Sequence, residues 1–178
     1  MNVFEIPFVI YPEDRKTVAA TFNGVTCLVK IPISLCRQKK LGVAYIDRIY
    51  WKVLCQIYGT KLKERIEELN SSFYKFEYQS VRYHRQFRRW GSCSSLKNIN
   101  LSHRLIGAPQ LLVDYVIIHE LAHLKYLNHS RDFWNLVSQT GFDPRICRKS
   151  ILEYSFNWNT DYQKWLFKVK QQFERIQK

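Results

Sequence analysis

The chain has 178 residues, 46% hydrophobic and 15% aromatic, which is enough apolar surface for a sizeable core and too much for an intrinsically disordered chain. Its 28 Lys and Arg against 15 Asp and Glu give a formal net charge of +13, a field that attracts polyanions and brings phosphate-bearing partners into consideration. The five cysteines (Cys27, Cys36, Cys55, Cys93 and Cys147) are odd in number and contain no CxxC pair, which argues against a disulfide framework or a cysteine-rich zinc knuckle and fits a reducing, cytoplasmic setting.

The first apolar stretch lacks a basic leader and is interrupted by Glu5 and Pro7. No run approaches the roughly 20 apolar residues of a membrane span, so neither a secretory signal nor a membrane partner is expected. Val3 to Tyr11 reads as extended. Thr17 to Phe22 and Val25 to Ile31 flank Asn23-Gly24, a dipeptide favoured in two-residue turns, and predict a β-hairpin ended by Pro32. Helical periodicity follows over Ala44 to Tyr58 and Lys61 to Leu69, with Gly59 as the break and Asn70-Ser71-Ser72 as the stop. Phe73 to Tyr83 and Ile99 to Leu101 are predicted to join the sheet. Pro109 suits the first turn of a long helix over Gln110 to Leu127. Ser130 can cap a further helix with Asp132 in its first turn and an apolar stripe of Phe133, Trp134 and Val137, ending at Gly141. Helical segments over Arg145 to Tyr154 and Asp161 to Gln177 close the chain, the latter with Trp165, Leu166, Val169, Phe173 and Ile176 on one face. No repeat, linker or low-complexity segment divides the sequence, and a single domain over residues 1–178 is expected.

The most informative residues lie in the long helix. His119-Glu120-Leu121-Ala122-His123 is an HExxH motif, in which two histidines four residues apart lie about 6 Å apart along one helix face and can reach one metal ion. Zinc takes neutral imidazoles tetrahedrally, and in catalytic sites it keeps one position open for a water whose pKa falls to roughly 7. Glu120, beside the first ligand, is then placed to accept that water's proton. The bland alternative is a pair of half-buried histidines and a solvated glutamate. Against it, Tyr115 to Ile118 is apolar almost all round and marks a buried helix in which three polar side chains need a partner.

His129 offers a third ligand. Continuing the helix from His123 would carry it about 600° round the axis, away from the metal, so the chain has to turn. The spacing equals that of the metzincin proteases, but Tyr126 stands where they carry glycine. The turn is therefore expected at Asn128, a residue that tolerates the left-handed conformation.

Cations and aromatics interleave from Arg82 to Trp90. This is either a surface that holds phosphates through Arg85, Arg88 and Arg89, or a strand whose aromatics face the core while its arginines are solvated. The basic tail from Lys164 to Lys178 is ambiguous in the same way. In Trp90-Gly91-Ser92-Cys93-Ser94-Ser95, Ser92 or Cys93 could be read as a nucleophile, but the small polar residues suit a tight loop at a sheet rim better.

Together these residues resemble the YgjP-like metallopeptidase family of zincin-type proteins. The resemblance is carried by Arg89-Trp90-Gly91-Ser92-Cys93-Ser94-Ser95, Asn98-Ile99, Leu101, Arg104-Leu105, Asp114-Tyr115-Val116, His119 to Leu124, Asn128-His129-Ser130 and Phe133-Trp134. The most specific block is residues 81–140, and the first half agrees only in layout. The resemblance implies an α+β, zincin-like fold, in which a small twisted β-sheet with an N-terminal hairpin packs against the HExxH helix and further helices. It also implies zinc held by His119, His123 and His129, with Glu120 as the catalytic acid/base. Two departures from the family pattern are Lys97 where a glycine is expected and His103 where tryptophan is frequent; Arg85 to Arg88 also differ from the usual residues.

The leading functional expectation is a zinc-dependent metallopeptidase acting on a peptide or protein. Two alternatives follow from the charge: a nucleoside triphosphate pyrophosphohydrolase, which no phosphate-binding glycine loop supports, and a protease docked on nucleic acid through its basic surface. Oligomeric state is left open.

Overall fold

Alternation of buried and exposed side chains builds the first of two sheets in the computed structural model, which describes residues 3–176. After a 3₁₀ turn at Val3–Glu5, β1 (Phe8–Glu13) runs parallel to β3 (Cys27–Pro32), and β2 (Ala19–Phe22) pairs antiparallel with β3, giving the order β1-β3-β2. Phe8, Ile10, Cys27, Val29 and Ile31 point into the core. The hairpin forms as predicted, but its connection is four residues, Asn23 to Thr26, rather than two. The Asn23 side-chain carbonyl accepts from Val25 N–H at 3.0 Å and Thr26 N–H at 2.7 Å, so the asparagine itself closes the turn, and Gly24 takes φ +95°.

A short helix, α1 (Ile33–Cys36), leads into α2 (Lys39–Phe73), which runs unbroken through Gly59. The predicted break does not occur: a single helical glycine costs only about 1 kcal/mol, less than a long packed helix gains from its buried face. The helix stops near Asn70 as expected. The Asn70 side chain both accepts from Phe76 N–H (3.0 Å) and donates to Phe76 O (2.7 Å), while Lys75 takes φ 57°. That exit places Phe73 to Gln79 in the helix end and a loop, leaving only Ser80–His84 as strand β4.

β4, β5 (Gly91–Cys93) and β6 (Asn98–Ser102) form the second sheet in the order β4-β6-β5, with β4 parallel and β5 antiparallel to the central β6. The predicted strands therefore divide between two sheets. The hairpin belongs to the first, and the motif helix α3 (Gln110–Ala122) packs against β5 and β6 of the second. Helices α4 (Arg131–Ser138) and α5 (Pro144–Ile176) complete an α+β fold. The two helical segments expected after Arg145 are one continuous helix, and Gln177 and Lys178 of the expected tail lie outside the described residues.

The described chain clusters into two compact units, one from the residues up to Leu54 together with those from Asn157 on, the other from Cys55–Phe156. The first has an aromatic core in which Tyr50 and Trp165 lie 4.7 Å apart between ring centroids and Trp51 contacts Phe4 and Trp158. Trp165, Val169 and Phe173 are buried there, as the helical spacing predicts. The second unit packs Ile66, Ile99, Leu101, Ile117 and Leu121 under the sheet.

Within this second unit α3 is fastened to α2 by Asp114. Its carboxylate accepts from Arg65 Nε at 2.7 Å and Nη2 at 2.6 Å, and from Gln110 Nε2 at 2.7 Å. The Asp114 side chain is 10% exposed and that of Arg65 30%. Replacing Asp114 by alanine leaves the partly desolvated Arg65 guanidinium with Glu68 alone, 2.6 Å away, and removes the acceptor of Gln110; it is expected to cost about 2 kcal/mol, less than the 3–5 typical of a fully buried pair. Chemical denaturation should show it as a lower midpoint.

Candidate metal centre and active-site cleft

Pro109 opens α3, and Leu112 to Ile118 are buried almost all round the helix, as the sequence predicts. The helix ends earlier than expected, at Ala122 rather than Leu127; a hydrogen-bonded turn covers His123 to Lys125, and the chain bends at Leu127 and Asn128, where the turn is expected. The closing hydrogen bonds explain this: Leu124 N–H donates to Leu121 O and Lys125 N–H to Ala122 O, three-residue spacings that tighten the last turn. Among the described residues only Lys75 and Lys97 other than glycines have positive φ, so Asn128 does not use the left-handed conformation.

This turn brings His129 back to the motif. One ring nitrogen from each of His119, His123 and His129 lies within 4.8 Å of the others, and the Nε2 atoms of His119 and His129 are 3.0 Å apart. Tetrahedral zinc with bonds of about 2.0–2.1 Å spaces two nitrogens by about 3.3 Å, so the donor set fits a divalent ion in number and type, and the His119–His129 pair is near that spacing. His123 Nδ1 lies 2.9 Å from the Tyr126 carbonyl. A carbonyl only accepts, so Nδ1 carries the proton and Nε2 presents a lone pair to the cluster. The backbone carbonyl is the role the structure records for Tyr126, whose side chain does not line the cleft.

α4 supplies the rest of the cradle. Ser130 caps it, accepting from Phe133 N–H at 3.3 Å, and this cap sets Phe133 and Trp134 beneath the histidines. The buried Phe133 ring lies 4.5 Å from His123 and 4.8 Å from His129, while Trp134 stacks on His129 at 5.3 Å. Burial, followed by the neighbouring His123, His129 and Arg148, pushes His119 down to about 3; burial first, then His123 and Arg148, lowers His129. Neutral imidazole is the form a metal takes.

Glu120 is 5% exposed and its Oε2 has no hydrogen-bond partner among the described residues. Burial pushes its carboxyl up to about 8, opposed by the charge of Arg89. The carboxylate lies against the backbone of β5: a Cβ added at Gly91 would stand 2.4 Å from Glu120 Oε1. β5 is the edge strand predicted as a loop at the sheet rim, and with α3 it walls a cavity of about 860 Å³ that holds all three histidines, Glu120 and Arg89. Cys93 also lines it, but burial, then Glu120, pushes its thiol up to about 11, which keeps it protonated and unsuited to attack.

The predicted anion-binding arginines separate. Arg89 lines the cavity, whereas Arg85, which stacks over Phe87 at 4.8 Å, and Arg88 are exposed outside its lining. The loop is held by buried Arg104, whose guanidinium sits 4.0 Å over the Trp90 ring and donates to Phe87 O at 2.8 Å and to Ser155 Oγ. His103 is buried away from the cluster with its Nδ1 accepting from Gln86 N–H at 3.2 Å, so it is not a ligand, and Lys97 occupies its glycine-like position at φ 58°. Sequence reasoning missed Arg148 of α5, which lines the same cavity and lies 5.9 Å over the Trp134 ring. Its only signal is membership of a basic helix start, Arg145 to Lys149, which resembles any solvated helix face.

Imidazoles that converge from the end of one helix and the turn after it, beside a buried carboxylate and opened to a cleft along a sheet edge, are the equipment of a metal-dependent hydrolase. Residues 18–152 match the model of the YgjP-like, metallopeptidase domain family, and the chain belongs to that family. Among solved structures it is similar to the metallopeptidase zymogen of Methanocaldococcus jannaschii jannalysin, at 24% identity over 52% of this chain and 91% of that one, with a TM-score of 0.44. No curated protein matches the sequence. Among the described residues no helix is long and apolar enough to cross a membrane, and all five cysteines are free thiols.

Proposed function

We propose that this protein is a zinc-dependent peptidase in which His119, His123 and His129 hold the metal and Glu120 is the general base. The observation that carries the reading is the meeting of three ligand nitrogens within 4.8 Å beside a buried carboxylate that has an unpartnered oxygen. When bound, zinc supplies a Lewis acid that polarises the scissile carbonyl and acidifies water. Glu120, ionised once a bound cation offsets the burial that raises its carboxyl, would take the proton of the attacking water and deliver it to the leaving amine. Gly91 leaves room for that carboxylate, and the His123–Tyr126 carbonyl contact fixes the ligand tautomer. Arg89, at the cavity wall, serves an anionic part of the substrate; exposed Arg85 and Arg88 lie on the same basic segment outside the lining. The five free cysteines support a reducing, cytoplasmic setting. The family match runs through parts of both compact units, which supports reading residues 1–178 as one domain.

The test is elemental analysis of purified protein. About one zinc per chain is expected in the wild type and a small fraction of that in His129→Ala, as also in His119→Ala or His123→Ala. Wild-type protein that takes up no metal when zinc is offered would turn the reading toward a binding module without hydrolase chemistry. Full occupancy in His129→Ala would remove His129 from the ligand set.

A further inference from the structure

The cleft is cationic, and among the described residues its arginines form no salt bridge, although the charge of Arg89 is felt by Glu120. Glu120 is the one carboxylate among the lining residues, and it is buried, whereas Arg89 and Arg148 line the same cavity and form no ion pair with any described residue. Arg148 has the more defined setting. It projects from α5 over Trp134, the indole that stacks on His129, so its guanidinium stands one aromatic ring away from the metal-ligand cluster. Apolar Leu127, Ile151 and Leu152 line the same cavity. A second cavity of about 640 Å³ adjoins the first at Trp134 and Arg148 and carries Arg145. The acid there, Asp143, already accepts from the Arg145 backbone N–H at 2.8 Å, capping the start of α5.

We propose that Arg148 determines specificity by seating an acidic side chain of a peptide substrate next to the scissile bond. This rests on the peptidase reading above. The Arg148 guanidinium carbon lies 5.9 Å from the Trp134 ring centroid, and its planar N–H fork can meet a carboxylate through two parallel hydrogen bonds. The short aliphatic stem of Glu or Asp suits the apolar side chains around it. A triphosphate would ask for backbone amides converging on its oxygens, and no glycine-rich phosphate loop stands among the lining residues. Arg145, in the adjoining cavity, extends the preference to a second acidic position further along the peptide.

Two measurements test this. In the first, zinc-loaded wild type, Arg148→Gln and Arg148→Glu digest a peptide library derived from a whole proteome, and the products are sequenced by mass spectrometry. Wild type is expected to enrich Asp and Glu at one position beside the cut. Arg148→Gln should lose that enrichment and Arg148→Glu replace it with Lys and Arg. A wild-type profile without acidic enrichment, or one that survives in Arg148→Gln, overturns the proposal. In the second, fluorescein-labelled decapeptides of alternating Gly-Glu or Gly-Gln are titrated into Glu120→Gln protein and followed by anisotropy. The Glu peptide should bind about tenfold more tightly, the strength of one charge-assisted pair, with the difference lost on adding Arg148→Gln. Equal binding overturns the acidic seat whether or not peptides are cut. The Glu preference without cleavage of any peptide by wild type keeps the seat and removes the peptidase reading. Displacement of the Glu peptide by a nucleoside triphosphate at lower concentration than by unlabelled Glu peptide overturns the peptide assignment.

Discussion

Replacing Glu120 by glutamine is expected to leave zinc binding intact and lower turnover by about 10²–10⁴-fold, the usual contribution of a positioned general base. The substitution preserves volume in a site where Glu120 is 5% exposed, and it touches none of the three histidines. What it removes is the proton acceptor. It also replaces a buried carboxyl that burial pushes up to about 8 and so keeps largely uncharged in the metal-free protein at neutral pH, and a neutral amide of the same size should leave the thermal midpoint little changed. Metal content, unfolding and hydrolysis measured on one preparation separate the roles. Undiminished hydrolysis would reject Glu120 as the base, and loss of zinc would make it a support of the metal instead.

The site was legible where chemistry fixes residue types at fixed spacings. Two helix-borne histidines and the glutamate between them declare a metal, and the need for His129 to return predicts a turn. The bend at Asn128 was legible, but its conformation and the helix end were not, because the helix closes at His123 through hydrogen bonds set by tertiary context and Asn128 does not take a positive φ. Gly59 misled in the same sense, since a breaker in sequence is only a modest cost inside a packed helix. Strands were recognisable from alternation, but their division into β1-β3-β2 and β4-β6-β5 is a matter of long-range pairing that alternation does not encode. Arg148 is the sharpest case. Nothing distinguishes it in sequence from its neighbours Arg145 and Lys149, and only the path of α5 brings it over Trp134.

Gly91→Ala should reduce turnover nearly as much as Glu120→Gln, by about 10²-fold or more, although Gly91 has no side chain to contribute. The added Cβ would lie 2.4 Å from Glu120 Oε1, 2.6 Å from Cγ and 2.7 Å from Cδ, so rotating the carboxylate alone cannot relieve the clash. The strand has little room to retreat. Gly91 pairs with Leu101 in the ladder, and Trp90 O accepts from Ser102 N–H at 2.7 Å. On the other side α3 is tied to α2 through Asp114 and Arg65. Glu120 must therefore leave its position, and overpacking should cost about 1–3 kcal/mol of stability. Zinc should remain, because the histidines are not displaced by this contact. If Gly91 acts only by placing Glu120, the double variant Gly91→Ala, Glu120→Gln should be no slower than Glu120→Gln alone, the non-additivity expected of residues serving one step. Independent, multiplying losses would mean that Gly91 meets the substrate directly, and full activity in Gly91→Ala would mean that Glu120 works from a position other than the one seen here.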